Sequence, residues 1–175
     1  MIAERTLAHA AHGWGAHGIP FNDEPKSELF LTASIERATT LLNQSAALRS
    51  LMLLSGENGV GKSALAGRWL RSHRALYSRI AAHARIEGLS RSEVEPYLEH
   101  QLRQVGIERP CFEPAAIELL ASASEGIPRT INLVARAAWI LAAKDKSLQI
   151  SATHLQSALE LVPGVMDIRQ NSSHP

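Results

Sequence analysis

The sequence predicts a short parallel α/β unit with two strands, followed by an all-α region, so that the chain is mostly helical overall. Two observations predict this. Leu51-Met52-Leu53-Leu54-Ser55 is an apolar run of strand length that leads into Gly56-Glu57-Asn58-Gly59-Val60-Gly61-Lys62-Ser63 and then into the helix-compatible Ala64–Leu70. From Ser90 onward every apolar stripe has helical spacing. The 175 residues suffice for one domain, or a domain with a small appendage, and the 45% hydrophobic content is ordinary for a soluble globular chain.

In chain order, residues 1–18 are rich in Ala, Gly and His and read as a mobile N-terminal arm. His9, His12 and His17 lack a nearby Cys or acid at closed-site spacing. Ile19-Pro20-Phe21-Asn22 reads as an ordered turn. Thr32 can cap a helix from Ala33 to about Ala46, with Ile35, Ala38, Leu41 and Leu42 on one face. The first strand, the glycine-rich loop and a helix ending near Ser72 follow. Ala75–Ile80 reads as a short helix and His83–Ile86 as a second strand. That strand would pair in parallel with Leu51–Leu54, with the intervening helix as crossover. Ser90 and Glu93 form a capping box for a helix carrying Val94, Leu98, Leu102 and Val105, and Pro96 should kink it. Pro114 starts the next helix and Gly126 closes it. Another runs from about Arg129 to Lys144, and Ser151 caps a last one that ends near Val162. The tail from Gly164 reads as loose. The implied units are 1–18, an arm; 19–88, the α/β unit; 89–163, the helical unit; and 164–175, the tail.

The loop has the pattern G-x-x-x-x-G-K-[ST] between a strand and a helix, which is the context a phosphate-binding loop requires. Gly56, Gly59 and Gly61 allow turns that a Cβ would forbid. The backbone N–H groups of the loop, including those of Glu57, Asn58 and Val60, form an anion cradle with the helix N-terminus. Lys62 is placed to reach the β- and γ-phosphates of ATP, and the Ser63 hydroxyl to hold Mg²⁺.

The formal net charge is +1, but no acid occurs between Gly61 and Glu87, where Lys62, Arg68, Arg71, Arg74, Arg79 and Arg85 lie. This stretch is either a solvated basic face or a site for a second polyanion such as DNA. The single Cys111 excludes an intrachain disulfide and fits a reducing cytoplasm. The first residues lack the apolar core of a signal peptide, and the apolar run Ala137–Ala143 is too short to span a bilayer, so no membrane insertion is expected.

Taken together, the Ile-Pro-Phe turn, Ser55–Ser63, Tyr77-Ser78-Arg79-Ile80, Leu89-Ser90-Arg91-Ser92-Glu93-Val94 and Ser124-Glu125-Gly126-Ile127-Pro128-Arg129-Thr130-Ile131-Asn132 resemble AAA+ ATPases of the secretion-ATPase and transposition-helper type. The resemblance covers roughly residues 18 to 162, discontinuously. It implies an α/β nucleotide domain followed by a helical lid. It also implies that Arg129 is a lid arginine touching the γ-phosphate, that Arg79 is presented to a neighbouring subunit of a homo-oligomer, and that Ile19 and Pro20 lie against the adenine. An arginine at a helix N-terminus opposes the helix dipole, which gives Arg129 a reason to be functional.

One departure from the family pattern stands out. A phosphate-loop ATPase needs a second acid on an apolar strand to hold Mg²⁺ and polarise water. No apolar run ending in Asp-Glu is found, and the interval from Ser63 to Tyr77 barely holds one helix. The chain reads as a family member with an internal deletion joined between Leu70 and Arg74. The expectation is therefore ATP binding without efficient turnover, in a setting with DNA and a transposase or with a secretion component. The alternative is a non-enzymatic interaction module with a residual phosphate loop. A chain that does not fold is a third possibility.

Overall fold

The computed structural model describes residues 2–21, 29–48, 51–72 and 80–162. The expected short helix over 75–79, Arg74, Arg79, Asn22 and the tail from Gly164 lie outside the described residues. The elements are α1 (Ile2–Trp14), α2 (Ala33–Ala47), β1 (Leu51–Gly56), α3 (Lys62–Ser72), β2 (Ile80–Ile86), α4 (Arg91–Arg103), α5 (Pro114–Ser124), α6 (Pro128–Lys144) and α7 (Ala152–Leu161). The fold is thus a two-stranded parallel sheet with helices, followed by an all-α region, here called the lid for short, as the sequence predicts.

Strands β1 and β2 pair in parallel, as expected, with His83 opposite Leu53 and Ile86 opposite Gly56. The strand begins at Ile80, so this residue is extended rather than helical. Side chains alternate across a strand, so Met52 and Leu54 share one face with Ala84 and Ile86. Those residues pack with Ile35 and Ala38 of α2 and Leu65 of α3 in a small apolar cluster. Trp69 donates its indole N–H to Asn43 Oδ1 at 2.9 Å, tying α3 to α2. Leu53, on the opposite face, is 52% exposed, so the sheet is covered well on one side only.

The helices form where their caps specify them. Thr32 Oγ1 accepts from Ile35 N at 3.2 Å, Ser90 and Glu93 complete a reciprocal box, and Ser151 accepts from His154 N. Helix α4 continues through Pro96. Helix α5 ends on two consecutive left-handed residues, Glu125 at φ 50° and Gly126 at φ 74°, where the sequence pointed to Gly126 alone. The lid core is built on Leu98, Leu102, Leu120, Ile131, Val134 and Leu155, all at 1% exposure or less. A parallel bridge between Phe112 and Ile150 laces the α4–α5 connection to the α6–α7 connection.

The N-terminal segment is not the mobile arm expected over 1–18. It forms α1, whose Ala10 and Trp14 are buried in the lid core. Leu7, Ala10, Ala11 and Trp14 fall at i, i+3, i+4 and i+7, one face of a helix, while His9 and His12 lie on the exposed side. The helix ends in a Schellman motif: Ala16 N donates to Ala11 O and Gly15 N to His12 O, at 2.9 and 3.1 Å. Phe21, at the end of the following turn, also belongs to the lid core, where its ring meets Phe112 edge-on at 6.1 Å. The boundary expected at residue 19 therefore does not separate arm from α/β unit.

Leu120→Ala should lower stability by about 2–5 kcal/mol, because the site is fully buried, whereas Leu53→Ala should change it by less than about 0.5 kcal/mol. Urea unfolding of both variants checks the contrast. Equal losses would mean that the outer sheet face is covered in solution.

Candidate nucleotide-binding site

The strand β1 ends in the glycine-rich loop, and the loop ends in the first turn of α3. Gly56, Gly59 and Gly61 all have positive φ, at 150°, 93° and 98°. Val60 is 3% exposed and pins the loop to the small cluster, while Glu57, Asn58 and Ser63 are exposed. Lys62 folds back over the loop and donates to the carbonyl oxygens of Gly56 and Glu57 at 2.8 and 2.6 Å. Its ammonium group thus sits over the loop mouth, held by neutral acceptors that an anion could replace.

The lid meets this loop directly. A Cβ placed on Gly59 would lie 2.9 Å from Arg129 Cβ and 3.0 Å from Ile127 Cγ2. The sequence-predicted loop and the sequence-predicted lid arginine are therefore brought together. Arg129 occupies the second position of α6, behind Pro128, and its side chain is exposed. The contact is set by the backbone on either side of it. Leu89 N donates to Gly126 O at 2.8 Å, and a Cβ at Gly88 would approach the carbonyl oxygens of Glu125 and Gly126 to 3.2 Å. The chain leaving β2 is thus seated on the α5–α6 turn that carries Ile127, Pro128 and Arg129.

Positive charge gathers at this corner beside the exposed acids Glu57 and Glu87. The N-termini of α3 and α6 both start here, each carrying partial positive charge. Neither has an acid in its first turn, unlike α2 with Glu36 and α4 with Glu93. Lys62 and Arg129 add full charges. The residues present therefore fit a polyphosphate: backbone donors, a lysine and an arginine around a loop with no blocking Cβ.

Toward Mg²⁺ the motif supplies the Ser63 hydroxyl. Among the described residues no group of three His, Cys, Asp or Glu side chains is placed to hold a metal. Glu87 follows β2 directly and is exposed, one residue beyond the Ile86 that pairs with Gly56. Ile19 is half-buried and Pro20 buried, in the turn fastened to the lid. Arg79 lies outside the described residues, so its expected role has no structural counterpart here. Of the basic stretch, Arg68 and Arg85 are exposed. A separate cleft of about 280 Å³ between α4 and α5, lined by Leu89, Val94, Ala121 and Gly126, contains none of the loop residues.

What the sequence reading did not anticipate is the role of Gly88 and Gly126 in joining the two units. The signal was available: Gly88-Leu89 directly after a strand, and Gly126 directly before Ile-Pro-Arg.

The Gly59 contact makes a specific expectation. Alanine at either Gly59 or Gly61 forces a Cβ residue into positive φ, at about 1–3 kcal/mol. Only Gly59 also faces the lid, since nothing lies within 4 Å of a Cβ at Gly61. Gly59→Ala should therefore be the more destabilising by about 1 kcal/mol or more, from overpacking against Arg129. Thermal or urea unfolding of the pair measures this, and equal losses would refute the loop–lid contact.

No family model matches the chain, and no solved structure matches it. The chain is similar to the general secretion pathway protein A of Aeromonas hydrophila, with 35% identity over 94 residues, which is 54% of this chain. That similarity covers 17% of the length of the relative.

Proposed function

We propose that the chain binds ATP with Mg²⁺ at the Gly56–Ser63 loop, closed on one side by Arg129, and that it descends from AAA+ ATPases serving a secretion or transposition machine. The observation that carries this reading is the meeting of Gly59 with Arg129 and Ile127. A chance glycine-rich turn has no reason to abut the Gly-Ile-Pro-Arg segment named independently from the sequence. Similarity to a general secretion pathway protein favours the secretion setting over the transposition one.

On this reading the loop N–H groups and Lys62 bind the β- and γ-phosphates, and Arg129 adds a second cation from the lid. Bound Mg²⁺ would screen the phosphate charge, with Ser63 as its protein contact. Turnover asks for more: a second acid at the metal and a group that positions water. Among the described residues, neither Glu57 nor Glu87 has a partner that would aim it at Ser63. Weak binding without turnover follows, consistent with an internal deletion near residues 70–74. In an oligomer a neighbour's Arg79 would complete the pocket.

A second reading is a non-enzymatic interaction module. It draws on Lys62, whose ammonium group is already satisfied by the loop's own carbonyls. The two separate on one experiment, titration calorimetry with Mg·ATP beside a phosphate-release assay. The nucleotide reading expects binding by the wild type and its loss, by about a hundredfold or more, in Lys62→Ala, since charge-assisted contacts to phosphate have no replacement in a methyl group. It expects phosphate release at background in both. Unchanged affinity in Lys62→Ala rejects the site, and multiple turnovers that vanish in the mutant reject the missing-acid reading.

DNA, with a transposase beside it, is the partner proposed for the transposition setting, through Arg68, Arg71 and Arg74. Contacts of this kind weaken steeply with salt and show little sequence preference. Fluorescence anisotropy with unrelated duplexes at about 50 and 200 mM salt reads both. Absence of binding at the lower salt would leave the stretch as a solvated face.

A further inference from the structure

Helix α6 starts at Pro128 without a side-chain cap, because Ile127 occupies the capping position. Its first turn lays Arg129 along the loop: a Cβ on Gly59 would lie 2.9 Å from Arg129 Cβ and 3.7 Å from Arg129 Cδ. Apolar packing is non-directional, whereas a buried hydrogen bond, with its narrow range of distance and angle, fixes how a helix is turned about its axis. One such bond reaches α6 less than a helical turn after Arg129. Tyr97 of α4 donates its O–H to Asn132 Oδ1 at 2.8 Å. Both residues are 6% exposed, and Val94, Leu98, Ile131 and Val134 on the same two helices are buried too. Tyr97 is in turn held from the side of the α/β unit. Phe30 meets its ring edge-on with centroids 5.4 Å apart, and lies 5.5 Å from the ring of His100, three residues further along α4. Leu29, just before Phe30, packs on the small apolar cluster. Thr32, just after it, caps α2, whose Ile35 and Ala38 cover the sheet that carries the loop.

We propose that Tyr97 is a positioning residue for the contact between loop and lid: through Asn132 it sets the first turn of α6, and so holds Arg129 where it meets a polyphosphate bound at the Gly56–Ser63 loop. This rests on the nucleotide-binding reading. Tyr97 acts on the ligand through Arg129 alone, and its ring is itself seated by Phe30. Removing the hydroxyl leaves every apolar contact in place and frees the first turn of α6 to shift, so its effect is felt at the phosphates and needs the arginine to be present.

The test is a double-mutant cycle read by calorimetry on the full chain, with Mg·ATP and with inorganic tripolyphosphate, which has the phosphates and no base. Tyr97→Phe should weaken both ligands by about three- to tenfold, the effect of one hydrogen bond. Arg129→Ala should weaken them by about tenfold or more. In the Arg129→Ala background Tyr97→Phe should change neither affinity by more than about twofold, because the residue it positions is gone. A tyrosine that merely stabilises the lid gives the same loss in both backgrounds, and that result overturns the inference. Wild-type affinity in Arg129→Ala, or in a Tyr97→Phe that circular dichroism shows to be folded, overturns it too. So does a loss confined to ATP, since the phosphates are then not what Tyr97 governs. If Tyr97→Phe does not fold, Phe30→Leu decides, because it keeps the hydroxyl and loses the edge-on ring contact. A loss of about two- to fivefold that disappears without Arg129 supports the inference, and no loss, or one that persists, overturns it. Failure of the nucleotide reading looks different: the wild type binds neither ligand, or Lys62→Ala binds both as the wild type does, and the positioning role falls with it.

Discussion

The backbone hydrogen bond from Leu89 N to Gly126 O seats the chain leaving β2 on the turn between α5 and α6. It can form only because two glycines face each other. A side chain at Gly88 would crowd the carbonyls of Glu125 and Gly126, and one at Gly126 would run into the Leu89 carbonyl. Gly126 also takes φ 74°, which a Cβ residue adopts only with strain. The consequence travels in both directions. Upstream, the strand that ends at Ile86 is paired with β1, whose end is the start of the loop. Downstream, the turn delivers Ile127 and Arg129 onto Gly59. Loop and lid are therefore placed by the same short backbone contact.

The apolar cores on either side of that contact are unequal. The lid core draws on α1, α4, α5, α6 and α7 and contains its largest side chains at essentially zero exposure. The α/β core rests on Ile35, Ala38, Val60, Leu65, Ala84 and Ile86. Two strands alone are marginal in water, and need a helix packed on an apolar face. Here α2 and α3 supply that face on one side, and Leu53 marks the side that is poorly covered. The loop's stability is thus borrowed in part from the lid, through Ile127, which packs on the small cluster while its neighbours belong to the large one. Among the described residues one buried donor in the large core is unmatched, Trp139 Nε1. Such a group costs about 1–3 kcal/mol.

Most helices were legible because their ends carry chemistry. Thr32, Ser90 with Glu93, Pro114 and Ser151 each name a boundary within a residue or two, since orphan N–H groups must find acceptors. The place of the glycine-rich loop between a strand and a helix was legible for the same kind of reason, since its glycines take φ values that side chains resist. The N-terminal helix was misread because its composition, Ala, Gly and His, resembles a tail. Its apolar face, Leu7, Ala10, Ala11 and Trp14, has helical spacing, but its small alanines and the flanking Gly13, Gly15 and Gly18 pointed to a tail. The parallel pairing of the two strands was legible because the helix between them makes a crossover connection. The Gly88–Gly126 contact was invisible, because glycines record a close approach without saying to what.

The charge around the loop explains why this corner is poised for an anion. Two helix N-termini, Lys62 and Arg129 all present positive charge there, and no acid of either first turn answers them. Lys62 is not left unpaired, since it donates to two carbonyls of its own loop. Those carbonyls are neutral acceptors. The bonds from the ammonium to these carbonyls are already charge-assisted, and a phosphate oxygen would add a full negative charge opposite the same donor. On the proposed reading a polyphosphate must displace them first, so its affinity would be a difference between two sets of contacts. Arg129, exposed and carried against its helix dipole, has no such competing pair to give up. What it would exchange for an anion is water rather than a protein acceptor, and an anion there would also offset the unfavourable charge–dipole term within α6. On the proposed reading the arginine at the start of α6 thus shares the phosphates with Lys62, far from it in sequence.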